Sequence, residues 1–182
     1  VKKAASSLDN KSIALIMNGD TPFVDEGTIN QALSQYRKTK SVFTIATTKP
    51  SSPFGYGRIL RDNDGQILDI VEEKDCNNEQ KLIKEVNAGL YLIATDYLKK
   101  FVKKIKKNKN SEYYLTDLVN IFVRNGLRVD SVPIKDERKF ININTFDDYR
   151  EAHNLDKMFI YEECVKQNIF LSDPESFQKD LD

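Results

Sequence analysis

Residues 13–22 read Ile13-Ala14-Leu15-Ile16-Met17-Asn18-Gly19-Asp20-Thr21-Pro22. Apolar residues stopped by Asn-Gly-Asp are the pattern of a buried strand feeding a loop, and they place Asp20 just past the strand's carboxyl end. Outward from this stretch, the alanine- and leucine-spaced run Thr28 to Tyr36 reads as a helix. Ser41 to Thr48 (SVFTIATT), rich in β-branched residues, reads as the next strand. This β-α-β unit predicts an α/β domain with a mixed, mostly parallel sheet and helices on both faces. In such sheets ligands bind beyond the carboxyl ends of the strands, so the strand-end loops are where chemistry is sought.

Further along, Arg58 to Arg61 and Gln66 to Val71 flank Asp62-Asn63-Asp64-Gly65, a composition that suits a hairpin turn. Val86 to Ile93 reads as a strand. Leu98, Phe101, Val102 and Ile105 mark an amphipathic helix, and Leu115, Leu118, Val119 and Phe122 repeat its spacing. Val129 to Pro133 reads as a short strand. Thr145 with Asp148 three residues later gives a capping-box-like start to a long C-terminal helix.

Length and composition narrow the class. A chain of 182 residues fits one domain with a genuine core. Lysine plus arginine (28) equals aspartate plus glutamate (28), so nothing calls for nucleic acid or an acidic membrane as partner. Cys76 and Cys164 lie far apart with no histidine nearby, against a zinc site or disulfide framework and in keeping with a reducing cytoplasm. No apolar run approaches the ~20 residues of a membrane-spanning helix. The opening on Val1 reads as a piece of something longer. The lysine-rich stretch Lys99 to Lys109 reads as a solvated face, and the one histidine, His153, as a structural or surface residue of the last helix.

Several short motifs can carry chemistry. In Asn18-Gly19-Asp20-Thr21-Pro22 a carboxylate follows a flexible glycine, which suits a hard cation such as Mg²⁺ and suits an ordinary turn equally. The glycines of Pro53-Phe54-Gly55-Tyr56-Gly57-Arg58 let backbone approach a ligand, or simply turn the chain into a strand. Glu72 and Glu73 leave a predicted strand, and Asn87 follows in Glu85-Val86-Asn87-Ala88-Gly89; carboxylates and amides of this kind can bind sugar hydroxyls. Thr116, in Glu112-Tyr113-Tyr114-Leu115-Thr116-Asp117, can cap a helix or touch a ligand. Asn144 stands just before the final helix.

Taken in order, the stretches NGDTPFV, PFGYGRILRDNDGQILDIVEEKDC, EQ-x-x-I-x-EVNAG, EYYLTDL and ININTFDDY resemble the uridyltransferase domain of the bacterial bifunctional N-acetylglucosamine-1-phosphate uridyltransferases. The resemblance runs through nearly the whole chain, and QNIFLSDPES is similar to that family's passage from a connecting helix into a left-handed β-helix domain. It implies a Rossmann-like nucleotide-diphospho-sugar transferase fold, with a partial nucleotidyltransferase domain over 1–150. Residues 151–182 would be a connecting helix and the start of the β-helix.

The same resemblance implies the chemistry: UTP and N-acetylglucosamine 1-phosphate as substrates, UDP-N-acetylglucosamine and pyrophosphate as products, and Mg²⁺ held by Asp20 and Asn144. Asn18, Gly19 and Asp20 would belong to the nucleotide site. Gly57, Glu72, Asn87, Tyr114 and Thr116 would contact the sugar phosphate and share one cleft. The product would serve peptidoglycan and lipopolysaccharide synthesis, and the intact protein would be a homotrimer through its β-helix domain. Asn18 stands where a larger residue such as tyrosine is common, and Ala88 where threonine is frequent. The family's opening glycine-rich loop does not occur in these residues, so the piece is expected to be inactive alone. Two alternatives accompany this reading: another sugar-1-phosphate or molybdopterin-type nucleotidyltransferase, and a non-catalytic sugar-phosphate-binding remnant.

Overall fold

A computed structural model of the chain describes residues 1–109, 111–143 and 145–166, with side chains to residue 159. The elements run α1 (Lys2–Ala5), β1 (Ile13–Met17), α2 (Glu26–Thr39), β2 (Phe43–Thr48), β3 (Arg58–Arg61), β4 (Ile67–Val71), α3 (Asn78–Lys81), β5 (Val86–Ala94), α4 (Thr95–Phe101), α5 (Asp117–Arg124), β6 (Val129–Pro133) and α6 (Phe146–Lys166). They group into two compact units: Val1–Asn18 with Asp25–Glu137, and Gly19–Val24 with Arg138–Asp182.

The first unit holds a six-stranded mixed sheet in the order β4-β3-β5-β2-β6, with β1 paired to β5. Its mixed α/β character is as expected, but the mostly parallel pairing is not. Among the described strands only β2 and β6 are hydrogen-bonded in parallel; β1 and β2 both run antiparallel to β5, as does β3. The reason is that β5 lies between β1 and β2, so the β-α-β crossover skips a strand and never brings its two ends together. The registers still leave β1, β2, β3 and β6 pointing one way, which gathers their carboxyl ends on one edge.

Side chains alternate across the sheet with the period of two that pleating requires. Phe43, Ile45, Tyr91 and Ile93 enter one core with Leu98, Phe101, Leu118, Val119 and Phe122. The ring of Phe122 meets those of Phe43 and Phe101 edge-on at 5.8 and 5.3 Å. The intervening Thr44, Ala46, Leu90 and Leu92 are also buried, facing the other side, where Ala32 of α2 is fully buried.

Local chemistry sets the boundaries. Asp25 caps α2 by accepting from the Thr28 amide at 2.8 Å. The β3–β4 turn is tied by Asp62 Oδ1, which accepts from the amides of Asp64 and Gln66 at 3.0 and 2.8 Å, while Gly65 supplies the positive φ of +80°. In the second unit, Thr145 and Asp148 form the reciprocal bonds expected of a helix start, at 2.7 and 3.1 Å. Also in that unit, the rings of Phe23 and Phe159 lie 5.3 Å apart, with the Arg138 guanidinium 4.8 Å from Phe159. The expected passage into a β-helix lies, from residue 167 onward, outside the described residues.

Candidate functional site

β3, β4 and β5 converge because Arg58 is paired with Val71 on one side and Val86 on the other. The residues flanking those pairs are Gly57, Glu72 and Asn87. The Asn87 amide donates to the Gly57 carbonyl at 2.8 Å. A Cβ on Gly57 would stand 2.9 Å from Ile70 Cγ2 and 3.2 Å from Glu72 Oε2, so glycine here is a requirement of close approach. Glu72 Oε1 in turn accepts from the Thr116 hydroxyl at 2.7 Å. Thr116 precedes α5 without a side-chain capping bond; its hydroxyl is committed to Glu72 instead.

Four of the sequence-derived residues, Gly57, Glu72, Asn87 and Thr116, are thus linked through direct contacts. Burial pushes the Glu72 carboxyl above its ordinary range. The Thr116 hydrogen bond opposes that rise, while the negative charges of Asp117 and Asp75 add to it. Asp117 is itself raised, first by burial and then by Asp69 and Asp75. A cleft of about 470 Å³ opens beside Glu72, walled by Asp69, Tyr114, Asp117, Asn120 and Arg124 among others. Of the residues expected to share one cleft, this one takes in Glu72 and Tyr114 only. Gly57, Asn87 and Thr116 join the group by contact, not by lining that space. Tyr114 is half-buried, with its hydroxyl donating to Glu112 Oε2 at 3.0 Å.

At the end of β1, the Asn18 amide donates to the Gly89 carbonyl at 3.0 Å, and the Asn18 side chain fills the space beside Gly89, whose φ is +75°. A Cβ on Gly89 would fall 2.4 Å from Asn18 Nδ2. Gly19 and Asp20 belong to the second unit, where the Asp20 carbonyl accepts from the Ile143 amide at 2.9 Å. Asn144 lies outside the described residues. His153 is exposed and stacked on Tyr149 at 6.3 Å, as befits a surface residue.

Sequence reading passed over two residues that the structure puts at the centre. Arg58 is 2% exposed and paired with Glu73 at 2.6 Å; it also donates to the Tyr56 carbonyl. Glu73 Oε2 additionally accepts from the Gly55 amide at 3.3 Å, so this ion pair fastens the Gly55–Gly57 turn to the exit of β4. An arginine directly after a Gly-x-Gly turn, opposite Glu72-Glu73 in a hairpin, was the available signal. The second is Tyr91, buried in the core, whose hydroxyl accepts from Asn87 Nδ2 at 2.7 Å. Only the folded register brings it to Asn87.

A family model described as nucleotidyl transferase matches residues 1–158. The bifunctional protein GlmU of Pelotomaculum thermopropionicum is 34% identical over 163 residues, covering 89% of this chain and 36% of that protein. That of Carboxydothermus hydrogenoformans is 39% identical over 131 residues, covering 71% and 29%. That of Clostridium kluyveri is 34% identical over 181 residues, covering 98% and 40%. The chain therefore spans well under half the length of these curated relatives. Among solved structures, a Bacillus anthracis protein assigned as a glucose-1-phosphate thymidylyltransferase, crystallised with a sucrose, superposes with a TM-score of 0.62 at 16% identity, covering 97% of this chain and 62% of that one. An apo UDP-glucose pyrophosphorylase gives 0.55 at 20% identity, covering 74% and 50%. At those identities the structures speak for the fold alone. The GlmU similarities bear out the resemblance read from the motifs.

Proposed function

The chain belongs to the nucleotidyl transferase family, and on that premise we propose that it carries the sugar-phosphate side of a uridylyl transfer. In this reaction a phosphate oxygen of N-acetylglucosamine 1-phosphate bonds to the α-phosphorus of UTP. The bond between the α-phosphorus and its bridging oxygen to the β-phosphate breaks, and pyrophosphate leaves with the electron pair. The observation that carries the reading is the contact chain Gly57–Glu72–Thr116 with Asn87 beside it. It sets one carboxylate and one amide around Gly57, groups that can exchange hydrogen bonds with the hydroxyls and the N-acetyl group of a sugar.

In this reading Glu72 accepts hydrogen bonds from sugar hydroxyls while Thr116 fixes its carboxylate. Asn87 both donates and accepts, Tyr114 closes the side of the site, and Asn18 and Gly19 attend the nucleotide at the end of β1. The attacking phosphate is anionic near neutral pH, so no general base is needed and the residues act by positioning. Asp20 and Asn144 would hold Mg²⁺, and the donor set fits: a carboxylate and an amide oxygen are the hard ligands this ion takes in ones and twos. Within the second unit the Asp20 carbonyl is held by the Ile143 amide. When bound, the cation supplies charge neutralisation at the phosphates.

The proposed setting is the cytoplasm. Among the described residues no helix is long and apolar enough to cross a membrane, and Cys76 is a free thiol. The homotrimer through a β-helix domain is proposed for the intact protein. The 182-residue chain alone is proposed to be inactive, since transfer at the α-phosphorus draws on preorganised cationic and backbone donors around the triphosphate.

A pyrophosphate-release assay with UTP, N-acetylglucosamine 1-phosphate and Mg²⁺ tests this on the chain and on a version extended at its N-terminus through a glycine-rich loop. The extended version should turn over and the chain should fall short by roughly 10²-fold or more; Asp20→Ala should silence the extended version. Comparable turnover by both would refute the inactivity of the chain. A preference for another sugar 1-phosphate would refute the substrate assignment.

A further inference from the structure

β5 is irregular where it passes the candidate site. Ile45 pairs with Tyr91 and Thr47 with Asn87, so β5 advances four residues while β2 advances two. Gly89, with φ +75°, sits at the centre of this bulge. Bulges of this kind re-aim side chains next to functional sites. Here the bulge folds the Asn87 side chain along its own strand: Oδ1 accepts from the Gly89 amide at 3.1 Å and Nδ2 donates to the Tyr91 hydroxyl at 2.7 Å.

An asparagine amide carries two N–H donors and two acceptor lone pairs on its oxygen. The bulge uses one of each and fixes which end is which, because a flipped amide would set its NH₂ against the Gly89 N–H. One donor and one lone pair are left with defined directions. From this geometry we propose that Tyr91 is a positioning residue for sugar recognition, holding the Asn87 amide in the orientation that meets the N-acetyl sugar.

Tyr91 suits the task because it is buried and packed on every side of its strand. It is 4% exposed, its ring lies 5.7 Å from that of Phe43, and its strand is paired on both sides through Ile16 and Ile45. Burial keeps its hydroxyl neutral, and the charge of nearby Glu72 acts in the same direction against the opposing Asn87 hydrogen bond. The neutral phenol oxygen accepts the bond from Asn87 Nδ2. The proposal rests on the reading of Asn87 as a sugar ligand, so its test separates the two.

Tyr91→Phe removes the hydroxyl and keeps the ring. Side-chain ¹⁵N relaxation of the Asn87 NH₂ in the 182-residue chain should show an ordered amide in the parent and a mobile one in Tyr91→Phe, at closely similar thermal stability. Titration with N-acetylglucosamine 1-phosphate should show affinity falling roughly five- to tenfold in Tyr91→Phe. In an Asn87→Ala background the same change should have no further effect, as expected of residues acting as a unit. An Asn87 amide equally ordered in Tyr91→Phe overturns the positioning role. So does an unchanged affinity in Tyr91→Phe when Asn87→Ala weakens binding. If Asn87→Ala itself binds like the parent, the sugar-ligand reading of Asn87 falls and the functional proposal falls with it, whatever the relaxation shows.

Discussion

The Thr116 hydroxyl donates to Glu72 Oε1 at 2.7 Å across 44 residues of chain, and in doing so gives up the capping bond it could have made to its own helix. A threonine at a helix start normally serves the helix's free amides. Spending it on a half-buried carboxylate, with Asp75 and Asp117 close enough to add their repulsion, marks Glu72 as the group whose position matters.

Thr116→Ala should therefore weaken binding of N-acetylglucosamine 1-phosphate by about 1.5–3 kcal/mol, the range for losing a hydrogen bond to a charged group. Thr116→Ser, which keeps the hydroxyl, should restore most of it. Calorimetric titration of both variants decides the matter; equal loss in both would mean that the methyl packing of Thr116, not its hydroxyl, is what counts.

Glu72 also predicts a pH dependence. Its folded pKa is raised above the ordinary 4.5, chiefly by burial, so the folded state holds the proton more tightly than the unfolded state. That contribution to stability is complete below the unfolded value and is lost as pH rises through the folded one. Glu72→Gln, which cannot ionise, should gain stability relative to the parent as pH rises above the ordinary carboxyl value. Melting temperatures measured across that rise test it; a constant difference would mean Glu72 is not perturbed.

The Arg58–Glu73 pair should respond asymmetrically to mutation. Arg58 is 2% exposed and Glu73 16%, so Glu73→Ala strands a buried guanidinium and should cost about 3–5 kcal/mol. Adding Arg58→Met to that variant should recover part of the loss, because a buried charge without its partner is worse than an apolar side chain of similar length. Urea unfolding of the single and double variants gives the comparison, and strict additivity would contradict the argument.

Gly57→Ala places a methyl 2.9 Å from Ile70 Cγ2, on a β-branched side chain with little room to turn. Overpacking there should cost about 1–3 kcal/mol and displace Glu72 with it. Stability and sugar-phosphate affinity should fall together in this variant. Loss of neither would show that the strand junction is looser than its contacts indicate.

On β1, Ile13, Leu15 and Met17 are 39%, 42% and 37% exposed, and among the described residues the strand is hydrogen-bonded only to β5. An open edge beside an apolar stripe favours association. Sedimentation velocity should show the chain self-associating as its concentration rises to the order of 100 μM. A variant with all three replaced by threonine should remain monomeric. A parent chain that is monomeric throughout would count against this edge as a contact surface.

What the sequence determined by itself was whatever depends on neighbours along the chain. Ile13–Met17 and Val129–Pro133 were legible as strands from apolar runs and their stops, the Arg58–Val71 hairpin from Asp62 and Gly65, and the start of α6 from Thr145 and Asp148. The roles of the candidate residues came from the resemblance of the motifs to the uridyltransferase family. Only tertiary structure could decide which strands pair. The insertion of β5 between β1 and β2 turns an apparent parallel unit into two antiparallel pairs, because hydrogen-bond partners are chosen among segments tens of residues apart. Arg58 and Tyr91 likewise acquire their places only in the fold: the β3–β4 pairing sets Glu73 against Arg58, and the bulge of β5 against β2 turns the Asn87 side chain onto the Tyr91 hydroxyl. Burial and long-range register, which no local pattern encodes, made the difference.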